Sequence, residues 1–228
     1  MKNIDSHNKF SMDYYQSIIE LALGNGYVFC TVDEFIKGGC PDKGHFILRH
    51  DVDLKPLTLQ QMIDIEIKCG VVSSIYARVA GSNYNVMDYP VFSMLKNAEE
   101  KGCEIGLHSN FLEYAMINNV EPLRVLNAEF NLLNCFFDIK GIACHRDINY
   151  VYNSLPYVEK NWKQISDMGL QYETYDSRIL KSTTYVNEGL NPHLCWRNDS
   201  PENVIQTRGS IYLLTHNHWW YTNHPFEA

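Results

Sequence analysis

Four strand-length apolar runs in this sequence end in the same way, on histidine. Phe46-Ile47-Leu48 leads into Arg49-His50-Asp51-Val52-Asp53, and Cys103-Glu104-Ile105-Gly106-Leu107 into His108. Lys140-Gly141-Ile142-Ala143-Cys144 leads into His145-Arg146, and Ser210-Ile211-Tyr212-Leu213-Leu214-Thr215 into His216. Continuous apolar runs of this length are what strands buried on both faces look like. Between the early runs lie segments with apolar residues three and four apart: Leu59, Met62, Ile63 and Ile67, then Val91, Met94, Leu95 and Ala98, then Leu123, Leu126, Phe130 and Leu133. Strand and helix therefore alternate over the first two-thirds of the chain, which predicts parallel β–α units. The expected fold is α/β, a distorted or incomplete (β/α) barrel, built as a single domain over residues 1–228.

Residues 1–43 are expected as an N-terminal helical extension packed on the barrel, with Ser11 capping a helix that stops at Gly24-Asn25-Gly26. Past His145-Arg146 the pattern weakens: Val158–Met168 predicts a helix, and Leu170–Tyr175, Ser182–Val186 and Leu194–Arg197 predict short strands.

In a barrel of this kind the active site lies at the carboxyl ends of the strands. That is where His50, Asp51, Asp53, His108, His145, Arg146, His216 and His218 fall. Asp51 and Asp53 stand two apart, so in extended chain they point to one side. Two carboxylates so placed repel each other unless a cation sits between them. Aspartate and histidine ligate zinc, manganese, iron and cobalt alike. A metal held by three protein groups leaves a position for water, whose pKa falls towards about 7. An unliganded acid such as Asp51 can take that proton, and a histidine across the site can protonate a leaving group. These parts suit metal-assisted hydrolysis of an amide or ester. Singly, each has a plainer reading: Asp-x-Asp as a turn or cap, His108 as a hydrogen-bonded core residue, Arg49 as an ion-pair partner, Trp219-Trp220 as closure of the barrel end. Their repetition at strand ends carries the argument.

A net charge of −8 with no Lys/Arg cluster argues against a nucleic-acid partner. No window approaches the roughly 18 apolar residues of a membrane span, and Met1–Tyr15 lacks the apolar core of a signal peptide. The seven cysteines are odd in number and widely spaced, with no CxxC pair, which excludes a disulfide framework or thiolate zinc site as the organising device. The expected location is the cytoplasm.

Five segments, in chain order, resemble the motif series of the polysaccharide deacetylase (NodB-homology) family, in its branch whose first motif reads HDVD. They are LRHDVD at Leu48–Asp53, EIGLHS at Glu104–Ser109, GIACHR at Gly141–Arg146, the Gly-Leu-x-Tyr turn at Gly169–Tyr172, and LLTHNHWW at Leu213–Trp220. The resemblance implies a divalent metal, zinc first with manganese, iron or cobalt as alternatives, and removal of acetyl groups from sugars. Carried over by position, it implies Asp51 as general base, Asp53 and His108 as metal ligands, Arg146 as the arginine that orients the base, and His216 as general acid. Arg49, Trp219 and Trp220 are the expected substrate-binding residues. One position departs from the pattern: where the family places a second metal histidine, one helical turn past His108, this chain has Leu112. His145 is the first choice for the missing ligand, followed by Glu113, Asn110 and His50. The expected substrate is a sugar or polysaccharide precursor, nucleotide- or lipid-linked. Two other readings stay open: a carbohydrate-binding or scaffold protein impaired in catalysis, and a metal-dependent amidohydrolase acting on a non-carbohydrate amide.

Overall fold

The computed structural model describes residues 10–79, 81, 84–145, 153–188 and 195–223. Among them, eight strands form one curled sheet in which every ladder is parallel: β1 (Val28–Cys30), β2 (His45–Val52), β3 (Ser74–Arg78), β4 (Glu104–Ser109), β5 (Gly141–Cys144), β6 (Tyr172–Glu173), β7 (Thr184–Asn187) and β8 (Ile211–Thr215). Their order is β6-β5-β4-β3-β2-β8-β7, with β1 lying along the start of β2 on the edge that β3 takes further up. Among the described residues β6 and β7 do not pair with each other, so the barrel is incomplete. Helices α1 (Met12–Gly24), α3 (Leu59–Cys69), α4 (Tyr89–Glu100), α5 (Phe111–Asn118), α6 (Pro122–Asn134), α7 (Ser154–Lys160), α8 (Trp162–Asp167), α9 (Ser177–Ser182) and α10 (Pro201–Ile205) surround it, and α2 (Val32–Lys37) closes its amino-terminal end.

The helix ends follow local chemistry. Ser11 Oγ accepts the Tyr14 N–H at the start of α1. Thr31 and Glu34 make a reciprocal capping box on α2. Gly70 ends α3 in the left-handed conformation (φ 70°), which glycine adopts without the Cβ clash other residues meet. Two expectations change in detail. The helix expected over Val158–Met168 is two short ones, α7 and α8, meeting at Asn161. The strand expected at Leu194–Arg197 begins outside the described residues, and within them Trp196 makes an isolated antiparallel bridge to Glu188.

Alternate strand residues divide between two environments, as the two-residue strand period requires. Ile47, Tyr76, Ala143, Tyr172 and Tyr212 face the barrel interior, where they meet Val32 and Phe35 of α2. Phe46, Leu48, Ile75, Leu107, Ile142 and Leu213 face outward into a larger core with Ile18, Met62, Leu95 and Leu126 of the helices. The interior tyrosines need room. A Cβ at Gly106 would overlap the Tyr76 ring, and one at Gly141 the Tyr172 ring, while the two phenol oxygens lie 3.1 Å apart. Gly106→Ala is expected to cost about 2 kcal/mol of stability by overpacking, read as a lower urea midpoint.

The outward face of β2 carries one fully buried polar network. His50 places Nδ1 2.6 Å from Thr215 Oγ1 and Nε2 2.8 Å from Glu66 Oε1. Tyr15 OH also donates to Glu66 Oε1, and Ser73 Oγ donates to Oε2 at 2.7 Å. Glu66 on α3 thus joins α1, β2 and the residue before β3. No described helix is long and apolar enough to cross a membrane.

Candidate metal centre

The inward positions at the carboxyl ends of β2, β4 and β5 are Asp53, His108 and His145. Asp53 Oδ1 lies 3.0 Å from His108 Nε2 and 2.9 Å from His145 Nδ1, and the two ring nitrogens are 3.0 Å apart. Among the described residues this is the one group of three acidic, histidine or cysteine side chains close enough to share an ion. The hydrogen bonds around it decide which atoms are free. His108 Nδ1 faces the Ala143 carbonyl at 2.9 Å, and a carbonyl only accepts, so Nδ1 carries the proton. On a neutral ring Nε2 is then a lone pair, aimed at Asp53 Oδ1, which is also an acceptor. Two acceptors at 3.0 Å call for a cation between them. One carboxylate oxygen and two imidazole nitrogens form a donor set suited to a tetrahedral divalent ion with one open position. Burial alone would raise the Asp53 carboxyl, but the neighbouring His108 and His145 outweigh that and hold it well below the usual carboxylate range.

Leu112, at the position of the histidine expected from the resemblance, sits in the first turn of α5 and packs against the outer core. His50 cannot reach the triad, being committed to Glu66 and Thr215 on the other face of β2. His145 stays at the strand end because its backbone N–H still donates to the Ser109 carbonyl, 2.8 Å.

Asp51, two residues before Asp53, sits beside this trio with Oδ2 3.8 Å from His108 Nε2. Arg49 grips it with two parallel bonds, Nε to Oδ1 at 2.7 Å and an outer guanidinium nitrogen to Oδ2 at 2.6 Å. Burial pushes the Asp51 carboxyl up, but Arg49 and then His108 outweigh it and leave it below its ordinary value. Arg49 was expected at the substrate. It is 0% exposed, lies over the rings of Tyr175 and Tyr76, and donates to Tyr212 OH, so its guanidinium is occupied inside the barrel. Arg146, expected to orient the base, lies outside the described residues.

His216 follows β8 on the opposite flank, its Nε2 3.9 Å from Asp53 Oδ2. Its backbone N–H and Nδ1 both engage Glu188, the latter at 2.7 Å, and Trp220 Nε1 donates to the same carboxylate. Burial works against a charged His216, yet Glu188 outweighs it and lifts the pKa to about 9; a cation on the triad would pull the other way. Glu188 belongs to none of the motifs, although its place just past the strand expected at Ser182–Val186 is the signal that could have found it. Asn217 Nδ2 donates to the Leu54 and Lys55 carbonyls and Thr58 Oγ1, fastening the turn after β8 to the turn after β2. Burial drives His218 down to about 4, so it is neutral near pH 7.

The two tryptophans separate. Trp219 is half-buried with its ring 4.7 Å from that of His216, at the site. Trp220, expected to bind substrate, is 4% exposed in a cluster with Phe10, Tyr14 and Tyr15, so it is a core residue that also anchors Glu188.

No family model matches the chain, and no curated protein matches it in sequence. Solved structures do match. One is a Bordetella bronchiseptica protein provisionally assigned as a polysaccharide deacetylase involved in O-antigen biosynthesis, with a TM-score of 0.51 and 14% identity over 86% of this chain and 81% of that one. Another is the Streptococcus pyogenes deacetylase PplD in complex with acetate, with a TM-score of 0.50 and 15% identity over 86% of each chain. The likeness is one of fold. At such identities it speaks for the incomplete barrel and assigns no role to any residue.

Proposed function

We propose that this chain is a metal-dependent carbohydrate deacetylase acting on an acetylated sugar of a polysaccharide precursor, nucleotide- or lipid-linked. The observation that carries the reading is the convergence of Asp53, His108 and His145 on one point, flanked by the Arg49-bound Asp51 and the Glu188-bound His216. The barrel it shares with proteins described as deacetylases supports the same class.

Asp53 Oδ1, His108 Nε2 and His145 Nδ1 would hold the ion, zinc being the first candidate for one carboxylate and two imidazoles. A divalent ion bound there supplies Lewis acidity, which acidifies water and polarises an acyl carbonyl. Asp51 receives the proton of the attacking water, and Arg49 keeps it ionised and fixes its plane. His216 delivers a proton to the departing amine or hydroxyl. Glu188 holds its Nδ1, which leaves Nε2 facing Asp53 and the site. Trp219 gives an apolar ring face beside His216 on which a sugar can stack.

The test is acetate release from a panel of N- and O-acetylated sugars, free and nucleotide-linked, before and after chelation. Release that stops on chelation and returns with added zinc or manganese is the expected result. Metal-loaded protein that releases no acetate from any of them, or that cleaves only non-sugar amides, would contradict the reading.

A further inference from the structure

We propose that Tyr84 is a positioning residue for the candidate metal centre: its hydroxyl is built into the end of the β2–β3 ladder, and the wider spacing it sets there lets Asp53 reach across to His108 and His145. This rests on the reading of Asp53, His108 and His145 as a metal site. β2 and β3 pair in parallel from Arg49 opposite Ser74 to Val52 opposite Ala77. On the other edge of β3 the Glu104 N–H donates to the Ser73 carbonyl, and the pairing runs on to Arg78 opposite His108. Alternate residues of an inner strand turn their main-chain groups to opposite neighbours. Ser73, Ile75 and Ala77 therefore serve β4, while Ser74, Tyr76 and Arg78 serve β2. The Arg78 N–H points at β2, and its partner in the regular ladder is the Val52 carbonyl. That rung is not made directly. Tyr84 OH stands between the two, accepting from the Arg78 N–H at 2.7 Å and donating to the Val52 carbonyl at 2.7 Å.

An N–H only donates and a carbonyl only accepts, so a hydroxyl, which does both, fits between them. A direct rung spans about 2.9 Å; two bonds in series hold the strands further apart. The widening comes where the site begins. Val52 is the last residue of β2, and Asp53 follows it. Asp53 Oδ1 has to pass the end of β3 to meet His108 on β4 and His145 after β5. A direct rung would draw Val52 toward β3 and carry Asp53 with it. The chain past Asp53 is held as well, since Asn217 Nδ2 donates to the Leu54 and Lys55 carbonyls. Asp53 is thus set between two clamps, and Tyr84 is the one on the ladder side. The phenol ring is itself fixed: it packs on the outer core, and a Cβ at Gly81 would lie 3.3 Å from it.

The measurement is Co2+ titration of the metal-free full chain, followed by visible absorption, for the wild type, Tyr84→Phe and Tyr84→Met. Phenylalanine keeps the ring and loses only the bridge, so that the Arg78 N–H and the Val52 carbonyl can close into a direct rung. Tyr84→Phe is expected to bind Co2+ at least about tenfold more weakly than wild type, the size of effect that groups behind a metal ligand have. The absorption bands of the bound ion should change with it, as Asp53 shifts. A merely structural role would lower the urea midpoint and leave the affinity and the bands of the folded protein as they were. That result in a folded variant, with wild type binding Co2+, overturns the role of Tyr84 and leaves the metal site standing. If Tyr84→Phe does not fold, Tyr84→Met, whose side chain adapts to the gap, decides in its place. Failure of both to fold makes Tyr84 a structural residue and also overturns the assignment. No Co2+ binding by the wild type overturns both the inference and the metal site.

Discussion

Asp51→Asn is expected to lower turnover about a thousandfold while the folded protein keeps its metal. Asp51 is outside the triad; its Oδ2 lies 3.8 Å from His108 Nε2. What the substitution removes is a proton acceptor. It also takes away the carboxylate bonded to the buried Arg49 guanidinium, which then faces one amide oxygen and one amide N–H where it had two carboxylate oxygens. Stability should therefore fall as well, by about 3 kcal/mol. The two effects separate in a double variant, Arg49→Met with Asp51→Leu. Replacing a buried ion pair by apolar side chains of similar size is often neutral or stabilising, so this variant should recover most of the lost stability and none of the turnover. Urea midpoints, steady-state rates and metal content on the same preparations check all three statements. Loss of metal from Asp51→Asn would mean that Asp51 and Asp53 have each other's roles.

Glu66→Ala is expected to be the most damaging single change for the fold away from the site, costing about 4 kcal/mol. Its carboxylate is the shared acceptor for Tyr15 OH, Ser73 Oγ and His50 Nε2, all fully buried. Removing it takes away the acceptor that the three share, leaving Tyr15 OH and His50 Nε2 only their 3.3 Å contact with each other and Ser73 Oγ its longer one to Cys103 Sγ. Glu66→Gln keeps one acceptor oxygen and should lose about half as much. Denaturant unfolding measures both. Because His50 also reaches Thr215, next to His216, the Glu66→Ala protein that does fold should show a disturbed site as well. A loss below about 1 kcal/mol would mean that the network contributes little net stability.

The core of this arrangement is legible in the sequence because strand geometry is so regular. Once Phe46-Ile47-Leu48 reads as a strand, the two-residue period sends Asp51 and Asp53 to one face and His50 to the other, and the structure has them so. The same period places Arg49 on the face of Asp51, a deduction open to anyone reading the sequence, and it leads to the ion pair rather than to substrate. Helices α3, α4 and α6 show through their three- and four-residue spacing. α5 does not, because its residues Phe111–Asn118 are apolar nearly all round, and only Phe111 and Ala115 are buried. Glu188 is less legible for another reason. It follows a strand, but a single acid becomes a histidine partner only once β7 and β8 pair and bring their carboxyl ends side by side, and no local spacing encodes that.

The central claim is that His145 supplies the ligand that Leu112 cannot. The direct measurement is the metal-to-protein ratio, by elemental analysis, of wild type and His145→Ala after loading with zinc and gel filtration. About one equivalent in the wild type, with most of it lost in His145→Ala, is the predicted result for a site of three protein ligands. A His145→Ala protein that keeps the wild-type ratio, or a wild type that retains less than about a tenth of an equivalent, would contradict it.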